Sequence, residues 1–416
     1  MKITGRHLLV LVSMCGLLAT TVGLVTNVAG LFFTPVAEEL GILKGEVSLM
    51  LTICNISFAF GGLFSPKITS KLNPRIVLIG CTVVLAGCTA ALTLCHAIMP
   101  MYVLCAARGF AAGIIGFVFA TTVLSGWFVE SIGLATSIAM GCSGIAGAAF
   151  SPVLSGIIAG SGWRVGYLAV AAFTVALNLP AILSLPAINA WDAGIAPFGA
   201  KESDRPAPAA AGSAQSDTAQ DKATASKLPM AIFAAVLIFS VRGSACTAFP
   251  QHFPGMAEIY GFVGTGATML SVSMVANTAG KIALGALIDR FGTRISVLGY
   301  IAAVIASLVA MLLVPSPAVF VVSAGAFGLC YAIGTVGITM LTRDAFGVEN
   351  YSRTYPVMSL GGNIANAVFS SVVGYMYDFT GGYTSTMIMF IVSQVITAGC
   401  VIFVYAQKSK QLQAAA

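Results

Sequence analysis

Ser273, Asn277 and Lys281 stand four residues apart inside an otherwise apolar run over 263–288, so on a helix they share one face. A hydroxyl, an amide and an ammonium in that order supply one positive charge and several donors, which is what a wall that holds a carboxylate needs. Lys281 lies eight residues ahead of the acid Asp289, or about 12 Å along a helix at roughly 1.5 Å per residue. Arg242 occupies a comparable depth in the run over 228–249, and Arg108 sits about two turns into the run over 102–124. Ionisable groups at such depth are costly and mark sites by default; for Arg108, snorkelling or a structural bond competes equally. Tyr331, Thr335 and Thr339 form a second polar stripe, and Asn363, Asn366 and Ser370 a looser third. For both, hydrogen bonding between helices competes equally with ligand binding.

These stripes need long apolar helices to carry them, and the composition supplies such helices. Of 416 residues, 58% are hydrophobic and 8% charged, against about 25% charged in ordinary soluble domains, which excludes a soluble enzyme. At roughly 20 residues per span, the apolar runs over 8–33, 47–66, 76–94, 102–124, 134–159 and 165–185, with six more between 228 and 406, accommodate twelve transmembrane helices. The fold class is therefore all-α: a polytopic membrane protein with a six-helix half over 1–185, a flexible polar linker over 186–227, and a second six-helix half over 228–416. The first run is too long for a cleaved signal and is expected to be the first span. Ten cysteines are scattered singly through apolar runs, as buried hydrophobes rather than a disulfide or zinc framework. With no nucleotide loop, metal cluster or catalytic triad, we expect no catalytic residue, no metal and no cofactor.

The net charge of +6 reports topology rather than a nucleic-acid partner. Alternation from a cytoplasmic amino terminus places Lys67, Lys71, Arg75, Arg290, Arg294, Arg343, Arg353, Lys408, Lys410 and the linker's Lys201, Arg205, Lys222 and Lys227 on one side. The other side receives Lys44 and Arg164 with Glu38, Glu39, Glu46 and Glu258. That bias predicts an inner-membrane protein with both termini cytoplasmic.

The halves repeat. Residues 70–75 align with 289–294 at an offset of 219, and 127–130 with 346–349 at the same offset; 161–163 meets 381–383 at 220. Here the chain resembles the major facilitator superfamily, through Gly285-x-x-x-Asp289-Arg290-x-Gly292-x-Arg294 and its worn copy Ser70-Lys71-x-Asn73-Pro74-Arg75. The resemblance implies twelve helices that rock about a central site. Asp289, Arg290, Gly292, Arg294, Lys71 and Arg75 would form a conformational latch that bridges helix ends in one state and releases in the other. Ser70 replaces the family's Asp, so the first copy of the latch is weaker or absent.

Asn277-x-x-x-Lys281-x7-Asp289, with "TPVAEELGI" at 34–42 and "WFVESIGLA" at 127–135, is similar to the branch that contains oxalate:formate exchangers and monocarboxylate transporters. This implies a cation on the eighth span that holds the substrate carboxylate, and Lys281 falls on that position. Lysine is less suited to bidentate pairing than the arginine usual there. Asn277 stands where proton-coupled members have an acid, and Asn27 is the nearest polar residue to their first-span lysine. The second cation of the oxalate exchangers is missing between 357 and 377, and Arg242 could replace it from another helix. Substrate valence stays open.

The expected substrate-binding set is thus Lys281 and Arg242, supported by Asn277, Tyr331, Asn363 and Asn27. The expected partners are a small organic carboxylate anion and the lipid bilayer, with the protein a monomer. Apart from Asp378 at a span end, no carboxylate lies within a span, and His7, His96 and His252 are expected near ends or loops. Exchange or uniport therefore fits better than proton symport, although an unpaired Lys281 could itself shed and regain a proton. The rival readings are an exporter of drug-like or neutral solutes and a membrane sensor that binds ligand without flux.

Overall fold

Within a bilayer every backbone polar group must be satisfied inside its own segment, and the apolar runs accordingly wind into helices throughout the computed structural model. The structure describes residues 4–129, 132–185, 187–200, 230–262 and 264–415. The charges at Lys201, Arg205, Lys222 and Lys227, Glu130 of the repeat and the linker over 201–227 lie outside them, as do the side chains of Glu349, Arg353 and Lys410. The first half contains α1 (Gly5–Asn27), α2 (Lys44–Thr69), α3 (Pro74–Leu94) and α4 (Ile98–Trp127), then one 50-residue stretch, Ala135–Ser184. That stretch would measure about 75 Å as one helix, far beyond a bilayer. It breaks at Gly162, whose φ of 81° suits a residue without Cβ, giving α5 (135–161) and α6 (163–184). The second half contains α7 (Met230–Ile259), α8 (Thr265–Phe291), α9 (Thr293–Leu313), α10 (Pro317–Gly347), α11 (Thr354–Thr380) and α12 (Thr384–Ser409). Among the described residues, eleven apolar stretches thus hold twelve spans.

Each half packs a core of its own, and a further cluster crosses between them, with Ala267, Leu270 and Met274 of α8 buried among first-half residues. In the core of the second half, Phe249 sits among Phe253, Phe327 and Phe390. Leu63, Ile282, Leu313 and Val322 are exposed, as side chains directed at lipid should be. Because lipid is as apolar as any core, helices are drawn together by close backbone approach over small residues. Gly109 and Gly113 of α4 pack on the backbone carbonyls of Cys54 and Phe58 in α2, while Gly144 and Gly147 of α5 face Thr278 and Met274 of α8.

Three helices depart from regular winding at depth. The second part of α1 is a π-helix over Ala19–Asn27, α10 contains another over Ile333–Gly337, and α7 tightens to a 3₁₀ segment over Cys246–His252. Such departures are frequent at functional sites. The last of them corrects the sequence reading: α7 continues through Pro250 instead of ending at 249, so His252 lies inside a span and is 2% exposed. The linker is also shorter than expected at its start. Residues 187–200 pack against the first half, where Phe198 exchanges backbone hydrogen bonds with Trp127 and Val129 and His7 bonds the carbonyl of Ala196 at 3.1 Å.

Candidate functional site

Lys281 is half-buried on α8 and makes no hydrogen bond or ion pair with any described residue. The titratable group that faces it is the thiol of Cys330 on α10, which in turn faces Cys246 on α7. Cys246 accepts a hydrogen bond from Gln394 Nε2 at 2.9 Å and is faced by Arg242, one turn earlier on α7. Arg242 likewise has no partner among the described residues. Lys281 and Arg242 thus each lie near a buried thiol, Cys330 and Cys246 respectively, and neither has an acid partner among the described residues.

The other predicted residues divide. Tyr331 of α10 packs against both halves, and its hydroxyl lies against the Gln251 amide on α7. Gln251, 3% exposed, reaches across to accept from the Gly30 backbone N–H at 3.1 Å. Asn277 is 5% exposed at the α5–α8 contact, beside Gly144, and its Oδ1 has no partner. Asn27 is committed within the first half, donating from Nδ2 to the Ser143 carbonyl at 3.0 Å. Asn363 is exposed, one and two turns before Ala367 and Ser371, which bond Thr52 of α2 at 2.5 and 2.8 Å. Asn363 therefore shares the α11 face that meets α2. Thr335 and Thr339 only bond back to their own helix, whereas Asn366 donates across to Thr247.

The halves meet along α2–α11, along α5–α8, and at the adjoining ends of α1 and α7. All of these contacts favour the end away from the chain termini. There Asp378 of α11 caps the start of α2, accepting from Gly45 N at 2.7 Å and Lys44 N at 3.1 Å. The Lys44 ammonium lies 4.5 Å from the Tyr377 ring centroid and faces Glu258, Glu38 and Asp378. A pocket of about 410 Å³ at this seam is lined by Thr34, Glu38 and Ser155 of the first half and Glu258 of the second. Along α5–α8 the hydrogen bonds among the described residues run from Ser271–Ala148 to Thr278–Gly141, and Gly285, one turn beyond Lys281, has nothing within 4 Å of its would-be Cβ. The cleft thus opens toward the termini, with Lys281 at the limit of contact.

The predicted latch residues lie at that open end. Gly292 has a φ of 80°, which explains the glycine in the turn. Arg75 donates to the Leu183 carbonyl at 3.0 Å within its own half, Arg290 lies over Phe291, and Lys71 and Asp289 are exposed. None of the six forms an ion pair among the described residues. Gln251, His252, Cys246 and Cys330 escaped the sequence reading because they sit in apolar surroundings or beyond the assumed end of α7. His252 bonds the Ser370 carbonyl at 3.0 Å and packs beside Phe33 of the other half.

The family described as Major Facilitator Superfamily matches residues 15–295 and 231–415. Among solved structures, a mutant of the nucleoside transporter NupG superposes with a TM-score of 0.69 at 14% identity, covering 96% of this chain and 100% of that one. A bacterial homolog of the human lysosomal transporter Spinster, inward-facing and unoccupied, gives 0.69 at 14% identity over 97% and 98% of the two chains. Its inward-facing, occupied form gives 0.65 at 14% identity over 96% of each. No curated protein sequence matches.

Proposed function

Since the chain belongs to the Major Facilitator Superfamily and is thus a multi-pass membrane transporter, we propose that it carries small organic carboxylates by rocker-switch alternating access. One observation carries this reading: Lys281 is a half-buried cation without a counter-ion, at the depth where the halves part. Such a charge is costly in a membrane, and an entering carboxylate would supply the missing partner. Arg242 of α7 would add a second charge for a larger or divalent acid, with Tyr331, Asn277 and Asn363 as supporting groups. Asn27 would act at one remove, by holding α1 to α5.

We further propose that the open end is cytoplasmic, since it carries Lys71, Arg75, Arg290 and Arg294, and that the protein sits in the inner membrane as a monomer. Exchange or uniport remains the favoured coupling. His252, now inside a span, makes proton linkage worth measuring alongside it.

The test is a thermal-shift screen of purified protein against mono- and dicarboxylates, in which ligand linkage reads as stabilisation. Carboxylates should stabilise the wild type and not Lys281→Gln, while Lys281→Arg keeps the response. Nucleosides belong in the same panel, because NupG is named for them and shares the fold. Stabilisation by neutral solutes alone, unchanged by Lys281→Gln, would overturn the carboxylate reading and favour the drug-like or neutral-solute alternative. Ligand binding without flux in proteoliposomes would instead favour a sensor. Lumenal pH recorded during uptake separates proton-linked transport from exchange.

A further inference from the structure

Arg108 of α4 is 4% exposed, and its Nε is enclosed without a hydrogen-bond partner. The guanidinium is hydrogen-bonded to the thiol of Cys54 on α2, a weak partner, and the other polar groups near it are the thiols of Cys105 on its own helix and Cys88 on α3 and the hydroxyl of Tyr167 on α6. No carboxylate is among them; the ion pair among the described residues is Arg164–Glu39, at the end of the bundle. Tyr167 is itself 5% exposed, with its ring stacked on Phe32 at 4.0 Å, and its hydroxyl makes no hydrogen bond to a described residue. Backbone contact between α2 and α4 holds the cluster, since a Cβ on Gly109 would collide with the Cys54 carbonyl oxygen.

The donor set decides what such a place can hold. A guanidinium has N–H donors and no acceptor, a phenol adds an O–H, and thiols are weak donors and weaker acceptors. A permanent cation withdrawn from water is costly unless an opposite charge comes with it. A cation and a free hydroxyl that converge without an acid lack one component, a small anion.

We propose that Arg108 and Tyr167 bind a small anion, a halide or a carboxylate, inside the first half of the protein. The guanidinium supplies charge and the phenol a directional O–H donor; the anion completes a core that is otherwise uncompensated. A carboxylate there would be the far end of a transported diacid or a separate small acid. Only that arm rests on the carboxylate reading of Lys281; the halide arm stands without it.

The experiment is thermal-shift titration of purified full-length protein in a gluconate background at constant ionic strength, with chloride, formate and oxalate as probes. Wild type, Lys281→Gln, Tyr167→Phe, Arg108→Lys and Arg108→Gln are compared. Chloride or formate should stabilise the wild type and Lys281→Gln saturably. Tyr167→Phe should weaken the apparent affinity about tenfold, the effect of one hydrogen bond to a charged group, and Arg108→Gln should abolish it. Should Arg108→Gln fail to fold, Tyr167→Phe and Arg108→Lys carry the test. Oxalate stabilisation lost in both Lys281→Gln and the Arg108 variants identifies the transported acid as the occupant. Chloride stabilisation lost only in the Arg108 and Tyr167 variants identifies a resident ion. The proposal falls if no anion stabilises the wild type saturably, or if Tyr167→Phe and the Arg108 variants respond as the wild type does. Loss of response in Lys281→Gln alone would leave the carboxylate reading standing and remove this site.

Discussion

The carboxylate of Asp378, near the end of α11, accepts from the backbone N–H of Gly45 at 2.7 Å and of Lys44 at 3.1 Å, so an acid of the second half caps a helix of the first. The positive end of a helix favours an anion, and these are charge-assisted bonds between parts that must separate for this end to open. Asp378→Asn should therefore shift the balance toward opening here by about 1–2 kcal/mol, roughly 5–30-fold in population. Faster hydrogen exchange at the start of α2 would register it. Unchanged exchange would mean that the cap contributes nothing to closure.

Gly30 provides a steric test of the same seam. A Cβ at this position would overlap the Gln251 carbonyl oxygen and stand 2.5 Å from its carbon, neither of which can yield without moving α7. Gly30→Ala should disfavour the closed end by about 3 kcal/mol, the upper range for overpacking, and trap the protein open on that side. An α2 exchange pattern identical to the wild type would refute this.

At the same end of the molecule, Glu39 accepts from Trp163 Nε1 at 2.5 Å and pairs with Arg164. The Arg164 bond, with that of Trp163, holds its carboxyl below the ordinary value of 4.5. A carboxyl whose folded value is depressed contributes its stability above the unfolded value and loses it as pH falls through the folded one. Melting of the wild type should thus drop below about pH 4.5, and Glu39→Gln should lie lower near neutrality and converge on it in acid. Parallel curves at all pH values would count against the pair. Because the group is exposed, the gap should be small.

Phe198 anchors the docked segment 187–200 by an edge contact with His7 and a tilted contact with Phe128, at centroid distances of 6.3 and 6.2 Å. Phe198→Ala should loosen that segment, at a local cost of about 1–2 kcal/mol for a partly buried ring, without altering ligand-induced thermal shifts. Exchange confined to 187–200 is the expected readout; loss of ligand response would assign the segment a larger role.

Hydropathy made the helices legible, because a lipid solvent enforces one rule on every span. Lys281 and Arg242 were legible for the same reason, as charges that apolar runs do not ordinarily contain. The Asp378 cap was not, since it joins positions more than three hundred residues apart through backbone N–H groups that no side-chain pattern betrays. His252 and Gln251 were hidden by Pro250, which reads as a helix end but here lies within a 3₁₀ turn that carries α7 onward. The docking of 187–200 was obscured by its polar neighbours in sequence, although Trp191 and Phe198 were a sign of it.

Much of the seam is built from single bonds to backbone groups: Thr52 to the Ala367 carbonyl, Ser271 to that of Ala148, Thr278 to that of Gly141, and Gly30 N–H to Gln251. Each can be exchanged for a water molecule at a net difference of only about 0.5–1.5 kcal/mol. The two faces of such a carrier can therefore stand at nearly equal height, and a weakly held solute has enough leverage to choose between them. A seam of buried ion pairs would have demanded a tightly gripped cargo, which is slow to let go.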